Sequence, residues 1–518
     1  MSKNTKILYV PLDDRPCNYH YPLMLSDICE DITLIAPPFE LMGKLKVAAD
    51  TDKIWDWIFT NAKDAQYAIL SVDTLVYGNI IHSRIHQKSM DQIDYYLNNF
   101  KKLKTINSSL KIHAFNLVAR VAGYDSSFED PEYWAKYGYK IWRYGWLTDK
   151  SVRGFATLEE KQELAKITDD IPNDYLADFL ARREKDKYVN HACVDLTKQN
   201  IFERLVIPKD DTAEYGYAAT DQASLAKKIL QERMMDKIMI YPGADEVGSV
   251  MFARVFNIIK NFSPKIFTKY SSTLGPTIIP RYEDRPIAES IKAQVTSMGG
   301  IVVTTPEESD FLFAINSPGK VMEECWSQQN KDLTFTTHTN LHEFFNYIKY
   351  YKNQFKKPIA LSDVAFCNGA DIEMMIYANK AGILEIIDAY GGWNTCENTN
   401  GMCLAHANIL TYYTKNGFAD GKKEQSDKFL SMKVFEDYLF QAIIIPEAVK
   451  EVDKRYPGKS AYKCADIHDE IAQYMGDRLR QLIKDEFNDK YKGYTPKIGN
   501  FSMPWDRVYE LHFSIDLQ

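Results

Sequence analysis

The sequence predicts a mixed α/β protein in three parts: an N-terminal (β/α) barrel-like domain, a flavodoxin-like open α/β domain and a mainly helical C-terminal region. Three observations support this prediction. Short apolar runs alternate with helical patterns over residues 1–265, a second alternating set occupies residues 270–420, and helical patterns dominate residues 421–518. Alternation of strands with helices is typical of sheets whose strands are mainly parallel.

The first domain contains six strand candidates. They are Ile7–Val10, Ile32–Ala36, Tyr67–Val72, Ile112–Leu117, Leu205–Ile207 and Ile238–Tyr241, with helical patterns such as Met90–Leu103 and Thr220–Met235 between them. A domain with this many βα units favours a barrel, although an irregular one, over a small open sheet.

A long insertion, residues 123–196, separates the fourth and fifth strands of this domain. Its first half carries Trp134, Trp142 and Trp146 among many tyrosines, and its second half has the pattern of one or two charged helices. Segments of this length are usually functional lids or small subdomains. A helical pair that packs its aromatic side chains on the domain is an equally good interpretation, so both stay open.

Proline and serine residues around Asn261–Pro276 mark the expected boundary to the second domain. Its strand candidates are Thr277–Ile279, Gly300–Thr304, Phe311–Ile315, Ile359–Leu361 and Leu384–Ala389, and its helix candidates are Ile287–Met298 and Leu341–Gln354. In residues 421–518 we predict helices at Phe429–Tyr438 and Ile467–Phe487, followed by an extended tail at residues 501–516.

Composition excludes several classes of protein. The formal net charge of −8 disfavours nucleic-acid binding, which needs clustered Lys and Arg. No stretch approaches the ~18–20 apolar residues of a membrane helix, and the start of the sequence lacks an apolar signal core. The eight cysteines are scattered without a Cys-x-x-Cys pair, so neither a zinc site nor a disulfide framework is indicated. We therefore expect a cytoplasmic protein without nucleic-acid or membrane partners, of undetermined oligomeric state.

Polar residues follow the strand candidates repeatedly, in LYVPLDDRPCN (8–18), AILSVDTLVYGN (68–79), HAFNLVAR (113–120), RLVIPKDDTAEYG (204–216), IMIYPGADEVG (238–248) and IALSDVAFCNGAD (359–371). The loops that leave the carboxyl ends of strands form the active-site face of α/β folds. Asp can also follow a strand simply as a helix N-cap. Six such segments in one chain predict a convergent polar site.

Asp210 and Asp211 are the first candidates for catalysis, supported by Asp245 and Glu246 at the end of the next strand. When two carboxyl groups share a pocket, their ionisations separate and one can stay protonated as a general acid. Carboxylates on neighbouring strands also suit Mg²⁺ or another divalent cation, although no cofactor is required. Helix capping and structural ion pairs are the competing structural interpretation.

A larger set of residues is expected to bind the hydroxyl groups of a small-molecule or carbohydrate substrate. It consists of Asp13, Asp14, Arg15, Asn18, Asp73, Tyr77, Arg84, Asn116, Arg120, Glu214, Tyr215, Asp363, Asn368, Asp371, Trp393, Asn394 and Asn398. Carboxylates, amides and guanidinium groups form directional hydrogen bonds with polyols, and a Trp face can pack on a polar ring.

The motifs PLDDRPCN, SVDTLVYGN, IPKDDTAEYG, PGADEVG, CNGAD and GWNT occur in an order that resembles family 4127 of the domains of unknown function. The resemblance covers essentially the whole chain and implies no established activity. By a weaker analogy, adjacent Asp residues at a strand end resemble substrate-assisted N-acetylhexosaminidases. That analogy would make one of Asp210 and Asp211 the group that orients the substrate and the other the general acid.

The leading hypothesis is a glycosidase-like, carbohydrate-active hydrolase that uses carboxylate acid/base chemistry in a cleft between two α/β domains. Two alternatives remain. One is a divalent-metal-dependent hydrolase or lyase that uses the same carboxylates, and the other is a non-catalytic sugar-binding protein.

Overall fold

The computed structural model describes residues 4–518 and contains helices together with two larger parallel sheets, which confirms the mixed α/β class. The chain divides into two compact units. Unit 1 consists of the chain up to Asp14, Ile32–Gly248 and Tyr282–Asp284. Unit 2 consists of Arg15–Asp31, Ser249–Arg281 and Arg285–Gln518.

The strands, in chain order, are β1 (Thr5–Val10), β2 (Ile32–Ile35), β3 (Tyr67–Ser71), β4 (Lys111–Phe115), β5 (Arg204–Lys209), β6 (Ile238–Pro242), β7 (Lys265–Tyr270), β8 (Ile301–Val303), β9 (Phe311–Asn316), β10 (Glu323–Glu324), β11 (Ile359–Asp363), β12 (Phe366–Cys367), β13 (Ala389–Gly391), β14 (Pro496–Ser502) and β15 (His512–Leu517).

The α-helices are α1 (Pro16–Asp27), α2 (Thr51–Asn61), α3 (Val72–Val76), α4 (Ile80–Ile85), α5 (Met90–Ile106), α6 (Trp134–Val152), α7 (Leu158–Asp170), α8 (Asn173–Lys198), α9 (Tyr217–Glu232), α10 (Val247–Lys260), α11 (Ile287–Met298), α12 (Thr334–Thr337), α13 (Leu341–Phe355), α14 (Ile372–Lys380), α15 (Ile383–Ile386), α16 (Cys396–Asn416), α17 (Lys422–Val434), α18 (Ile445–Arg455) and α19 (His468–Phe487). A π-helix, Phe435–Ile444, joins α17 to α18.

Unit 1 is built on a six-stranded parallel sheet with the order β2-β1-β3-β4-β5-β6. The expected barrel is not what these strands form, because β2 and β6 are the two edges of the sheet in the described part of the chain. In a barrel every connection moves in one direction around the axis. Here β2 lies on one side of β1 and β3 on the other, so the winding reverses and the sheet stays open.

Unit 2 contains a five-stranded parallel sheet with the order β8-β7-β9-β11-β13. In this sheet β8 lies on one side of β7 and β9 on the other, so the winding reverses at β7, the first strand of the sheet along the chain. The sequence prediction missed β7, which lies in the expected boundary region, because KIFTKY has no continuous apolar run and only Ile266 is fully buried.

Two strand predictions in this unit were wrong in whole or in part. The expected strand Thr277–Ile279 is instead the end of a short 3-10 turn, Gly275–Thr277. The expected strand Leu384–Ala389 divides into α15 and the start of β13. Both are short apolar runs, for which length and periodicity do not separate helix, turn and strand.

The insertion forms α6, α7 and α8. Most residues of one hydrophobic core come from these helices. That core contains Ala122, Trp134, Ile141, Leu147, Ile167, Ile171 and Phe179. Trp134 is almost fully buried, and its indole N–H donates to the carbonyl of Ala122 at 3.3 Å. Packing therefore accounts for part of the aromatic content of the insertion, and the lid interpretation stays a prediction.

The C-terminal part of unit 2 packs α19 against the π-helix and against β14. The tail forms an antiparallel pair, β14 with β15. The helices that were predicted at 429–438 and 467–487 correspond to the α17–π-helix junction and to α19.

Gly145 brings α6 against α9, and we expect Gly145→Ala to destabilise unit 1. An added Cβ would lie 2.1 Å from Cε2 of Tyr217. Overpacking of this kind destabilises a protein by about 1–3 kcal/mol. The higher helix propensity of Ala would offset at most ~1 kcal/mol of this loss. Urea unfolding measures the difference. The penalty should largely vanish in a Tyr217→Leu background, and a stabilising Gly145→Ala would contradict this close approach.

Candidate functional site

The carboxyl ends of the strands of unit 1 carry its predicted site residues. Asp13 and Asp14 follow β1, Asp73 follows β3, Asn116 follows β4, Asp210 and Asp211 follow β5, and Asp245 and Glu246 follow β6. Ligands of open parallel sheets bind outside this edge, where the strand order reverses. In unit 1 the reversal falls between β1 and β3. The sheet therefore brings these residues to the edge where a site is expected.

Six side chains near the end of β5 form what we call the carboxylate–arginine cluster: Arg84, Arg120, Glu129, Asp130, Asp210 and Asp211. Arg84 donates to Asp210 Oδ2 at 2.6 Å and to Glu129 Oε2 at 2.9 Å. Arg120 donates to Asp211 Oδ2 at 3.1 Å and to the same oxygen of Glu129 at 2.8 Å. Asp130 Oδ2 lies 3.6 Å from Arg120 Nη2. Two guanidinium groups are thus surrounded by four carboxyl groups.

Strand β5 positions the two aspartates differently. The backbone N–H of Asp210 donates to the carbonyl of Val118 at 3.2 Å, which extends the pairing of β4 with β5 beyond the strands. At Asp211 the backbone enters the left-handed region with φ = 33°, a conformation that costs a non-glycine residue on the order of 1 kcal/mol or more. The Asp211 side chain is 30% exposed and that of Asp210 only 9%, so Asp211 is the accessible carboxyl group.

Burial, followed by the negative charge of Asp210, raises the pKa of Asp211 to about 6, against the opposing effect of Arg120 and Arg84. Burial is also the largest cause of the raised pKa of Asp130, which the same two arginines counteract. A carboxyl group with a pKa near 6 can hold a proton close to neutral pH and release it to a substrate.

Sequence reasoning missed Glu129 and Asp130, although Glu129 bridges both arginines. They lie in the segment FEDPEYW at the start of the insertion, which follows no strand and has no periodic pattern. The one available signal is an acidic pair placed immediately before Pro131. Only the folded chain brings this pair to Arg84 and Arg120.

Asp73 and Asn116 lie beneath the same edge in a buried hydrogen-bond network. Asp73 Oδ2 accepts from the backbone N–H of Leu117 at 2.9 Å and from Asn116 Nδ2 at 3.2 Å, and Asn116 Oδ1 accepts from Asn190 at 2.6 Å. Burial raises the pKa of Asp73 to about 7, against these hydrogen bonds. The network connects the ends of β3 and β4.

Tyr77 is also buried, and its ring stacks on His86 with centroids 4.5 Å apart. The buried positions of Asp73, Tyr77 and Asn116 indicate that they support the loops. Direct binding of substrate by these three residues stays a prediction.

Asp13, Asp14, Asp245 and Glu246 are buried at the ends of β1 and β6. Glu246 turns back on its own loop, where Oε2 accepts from the backbone N–H of Ala244 at 2.9 Å. Gly243 permits this turn, because an added Cβ would lie 2.3 Å from Glu246 Oε1. The expected cooperation of Asp245 and Glu246 with Asp210 and Asp211 stays a prediction.

Glu214 and Tyr215 lie on the loop between Asp211 and α9. Glu214 is exposed and, with Asp149, Arg153 and Asp284, lines a cavity of about 520 Å³ to which α9 contributes alanine, Thr and Gln side chains. Another member of this region was missed: Lys209, the last residue of β5, is buried and forms an ion pair with Asp284. Unit 1 therefore has an open polar cavity beside the loop that carries Asp211.

The predicted residues Asp363 and Asp371 form a buried carboxyl pair in unit 2. Asn316 Nδ2 donates to Asp363 Oδ1 at 2.9 Å and to Asp371 Oδ2 at 3.3 Å, and the backbone N–H of Asp371 donates to Asp363 Oδ2 at 2.7 Å. Burial, followed by the charge of Asp371, raises the pKa of Asp363 to about 8. Asp371 also caps α14, so the helix-cap interpretation applies to it.

Trp393 lies beyond β13, above a lysine that the sequence analysis did not single out. Lys433 Nζ is 4.9 Å from the Trp393 ring centroid and forms ion pairs with Glu436 at 2.9 Å and Asp437 at 2.8 Å. Asp437 in turn accepts from the backbone N–H of Gly392 at 2.8 Å. The buried charges on α17 and the π-helix thus hold the loop that carries Trp393.

Two of the remaining predicted residues of unit 2, Asn368 and Asn394, are in contact through their backbones. Asn368 donates to Glu324 at 2.8 Å, and its backbone N–H donates to the carbonyl of Asn394 at 2.8 Å. Asn398 is buried in the first turn of α16.

Arg15 and Asn18 lie at the start of α1. Arg15 stacks on Trp505 with its Cζ 4.6 Å from the ring centroid and lies 3.8 Å from Glu510. Asn18 is buried, and its Nδ2 lies 3.7 Å from Cys17 Sγ.

A family model described as Protein of unknown function (DUF4127) matches residues 7–514. The chain belongs to this family, which confirms the resemblance carried by the sequence motifs. Comparisons with curated proteins and with solved structures gave no significant match.

Within residues 4–518, no three or more His, Cys, Asp and Glu side chains are grouped so that they could hold a metal ion. No helix in the described part of the chain is long and apolar enough to cross a membrane.

We expect the raised pKa of Asp211 to appear in the pH dependence of stability. The folded state binds this proton more tightly than the unfolded state, whose pKa is about 3.9. The free energy of unfolding should therefore decrease as pH rises from about 4 to about 6, by roughly 1–2 kcal/mol from this group. Urea unfolding across this range measures it.

Asp211→Asn should remove this contribution, and Asp210→Asn should reduce it, because the charge of Asp210 raises the pKa of Asp211. Asp56→Asn, an exposed change on α2, is the matched control. An Asp211→Asn protein with the same pH dependence as the wild type would contradict the assignment.

Proposed function

We propose that unit 1 carries a carbohydrate-active, glycosidase-like hydrolase site in which Asp211 is the general acid. The observation that carries the proposal is the raised pKa of an accessible carboxyl group at the end of a parallel strand. General-acid catalysis needs a group that is still protonated near the working pH and reaches a substrate. Among the predicted catalytic residues, Asp211 meets both requirements.

In the proposed reaction, protonated Asp211 gives its proton to the oxygen of the leaving group as the carbon–oxygen bond breaks. Water adds to the same carbon and loses a proton to the Asp211 carboxylate, which restores the starting state. Asp210 raises the proton affinity of Asp211, while Arg120 and Arg84 hold both side chains in place. Two carboxyl groups whose environments separate their pKa values are a common basis of acid/base catalysis.

The cavity lined by Glu214, Asp149, Arg153 and Asp284 supports a polyhydroxylated substrate. Its lining offers both hydrogen-bond acceptors and a guanidinium donor, and its small alanine side chains leave room for a sugar ring. Tyr215, which packs edge-on against Trp146 with centroids 5.2 Å apart, adds an aromatic surface on the same loop. Aromatic faces with a few polar groups are typical of small-molecule sites.

A divalent-metal-dependent hydrolase or lyase is the second candidate from the sequence. The ion pairs of Asp210 and Asp211 with arginines support acid/base chemistry more strongly, because guanidinium groups already provide the positive charge that a metal ion would supply. The non-catalytic sugar-binding alternative would need the same cavity without turnover.

We further propose a flavodoxin-like arrangement for unit 2, supported by its strand order, which is 2-1-3-4-5 when its five strands are numbered along the chain. A cytoplasmic location and the absence of nucleic-acid partners are retained as proposals on the basis of composition.

The test is hydrolysis of a panel of aryl glycosides and oligosaccharides, with and without exhaustive chelation. For any substrate that is turned over, Asp211→Asn should lower kcat by about 10²–10⁴-fold, the usual contribution of a general acid. Activity of the wild type should fall as pH rises above about 6. In Arg120→Gln this alkaline decline should move to higher pH, because Arg120 lowers the pKa of Asp211.

Asp56→Asn again serves as the control. Full hydrolysis by Asp211→Asn would exclude the general-acid assignment, and loss of activity on chelation would favour the metal-dependent alternative. Binding of a sugar without turnover, unchanged by Asp211→Asn, would favour the sugar-binding protein.

A further inference from the structure

Unit 2 contains a cavity of about 280 Å³ that we call the histidine pocket. Its walls come from α1, α17 and β15 with the residue before it, and they include His20, Met24, Lys428, Met432, His512 and Phe513. α17 packs against both α1 and β15, so the three elements enclose one space. The volume is just below the range of about 300 Å³ and above that is typical of pockets for drug-sized molecules, which suits a smaller ligand.

The imidazole rings of His20 and His512 stack in this pocket. Their centroids are 4.7 Å apart and their planes are inclined by 22°. Burial, together with the positive charge that His512 would carry, lowers the pKa of His20 to about 4, and burial also lowers the pKa of His512. At neutral pH the pocket therefore contains two uncharged, flat aromatic rings.

The stacked geometry disfavours a metal ion shared by the two histidines. A metal binds in the plane of an imidazole ring, along the lone pair of its nitrogen. In two nearly parallel rings these directions run side by side and do not converge on one point. The pocket is therefore better suited to a ligand that contacts ring faces and edges.

The charges of the lining disfavour a phosphorylated ligand. Among the described residues, Lys428 is the only Lys or Arg side chain that lines the pocket, and its ammonium group lies 3.1 Å from Asp516. Asp27 also lines the pocket, so carboxylates outnumber the ammonium group. A phosphate group would need cationic or backbone N–H partners to offset its charge.

The remaining lining combines polar side chains, among them Gln425 and Ser514, with apolar ones. Met24 and Met432 contribute thioethers, which contact aromatic rings favourably, and Phe513 is buried beside them. A neutral imidazole at His512 presents one N–H donor and one ring-nitrogen acceptor. An all-carbon ligand would bury these groups without hydrogen bonds, whereas a ring with its own nitrogen atoms can satisfy them.

We propose that the histidine pocket binds an uncharged, planar nitrogen heteroaromatic compound of about the size of a nucleobase. The ligand stacks on the imidazole and thioether surfaces and forms hydrogen bonds with His512. This site belongs to unit 2 and is independent of the hydrolase proposed for unit 1.

The test is calorimetric titration of the full-length protein at pH 7.5 with adenine, cytosine, nicotinamide and benzimidazole. Indene is the matched probe, because it has the shape of benzimidazole without its ring nitrogens. We expect at least one nitrogen compound to bind with 1:1 stoichiometry and a Kd below about 1 mM, and indene to bind at least about tenfold more weakly than benzimidazole.

His512→Phe keeps a flat ring but removes both nitrogens, and we expect it to weaken binding at least about tenfold. His512→Gln, which retains a donor and an acceptor, should recover part of the affinity. His338→Ala, an exposed change in the same unit, should leave binding unchanged. Thermal unfolding establishes that each variant is folded.

Absence of saturable binding by the four nitrogen compounds would overturn the proposal. Equal affinity for indene and benzimidazole, or affinity that His512→Phe leaves intact, would do the same. If His512→Phe does not fold, the comparison of indene with benzimidazole on the wild-type protein decides, together with a crystal structure that locates the bound compound inside or outside the pocket.

Discussion

The withdrawal from water of two consecutive carboxyl groups, nearly complete at Asp210 and partial at Asp211, is the constraint on which the site of unit 1 depends. Asp210 and Asp211 leave β5 together, and a buried carboxylate is costly unless it is paired or protonated. The fold meets this requirement in both ways: Arg84 and Arg120 pair with the two groups, and Asp211 has a raised pKa. Glu129 then links the arginines, which ties the start of the insertion to the edge of the sheet.

Unit 2 uses the same physical solution at its own strand ends. Asp363 and Asp371 share an Asn donor and have raised pKa values, and Lys433 is buried between Glu436 and Asp437. Lys433 lies on the last turns of α17, and its two partners lie on the π-helix that follows. π-Helical segments occur frequently at functional sites, because the extra residue per turn redirects side chains.

Much of the α/β architecture could be predicted from apolar runs and helical periodicity, since these patterns report local structure. The open form of the first sheet could not be predicted, because a reversal of winding at β1 leaves no local pattern in the sequence. β7 was missed for a related reason: its residues lack an apolar run. At the site, strand-end motifs identified Asp210, Asp211, Arg84 and Arg120, but Glu129, Lys209 and Lys433 needed the fold, because their partners lie on other elements.

With a pKa raised to about 6, Asp211 should keep its proton at pH values where an ordinary aspartate is already ionised. Carbon-13 NMR of aspartate side-chain carboxyls, with the Asp211 resonance assigned by its loss in Asp211→Asn, measures this protonation directly. A titration midpoint near pH 6 is the result that the cluster geometry predicts. A midpoint at or below about 4, the value of an ordinary aspartate, would contradict it and leave the cluster as a structural ion-pair network.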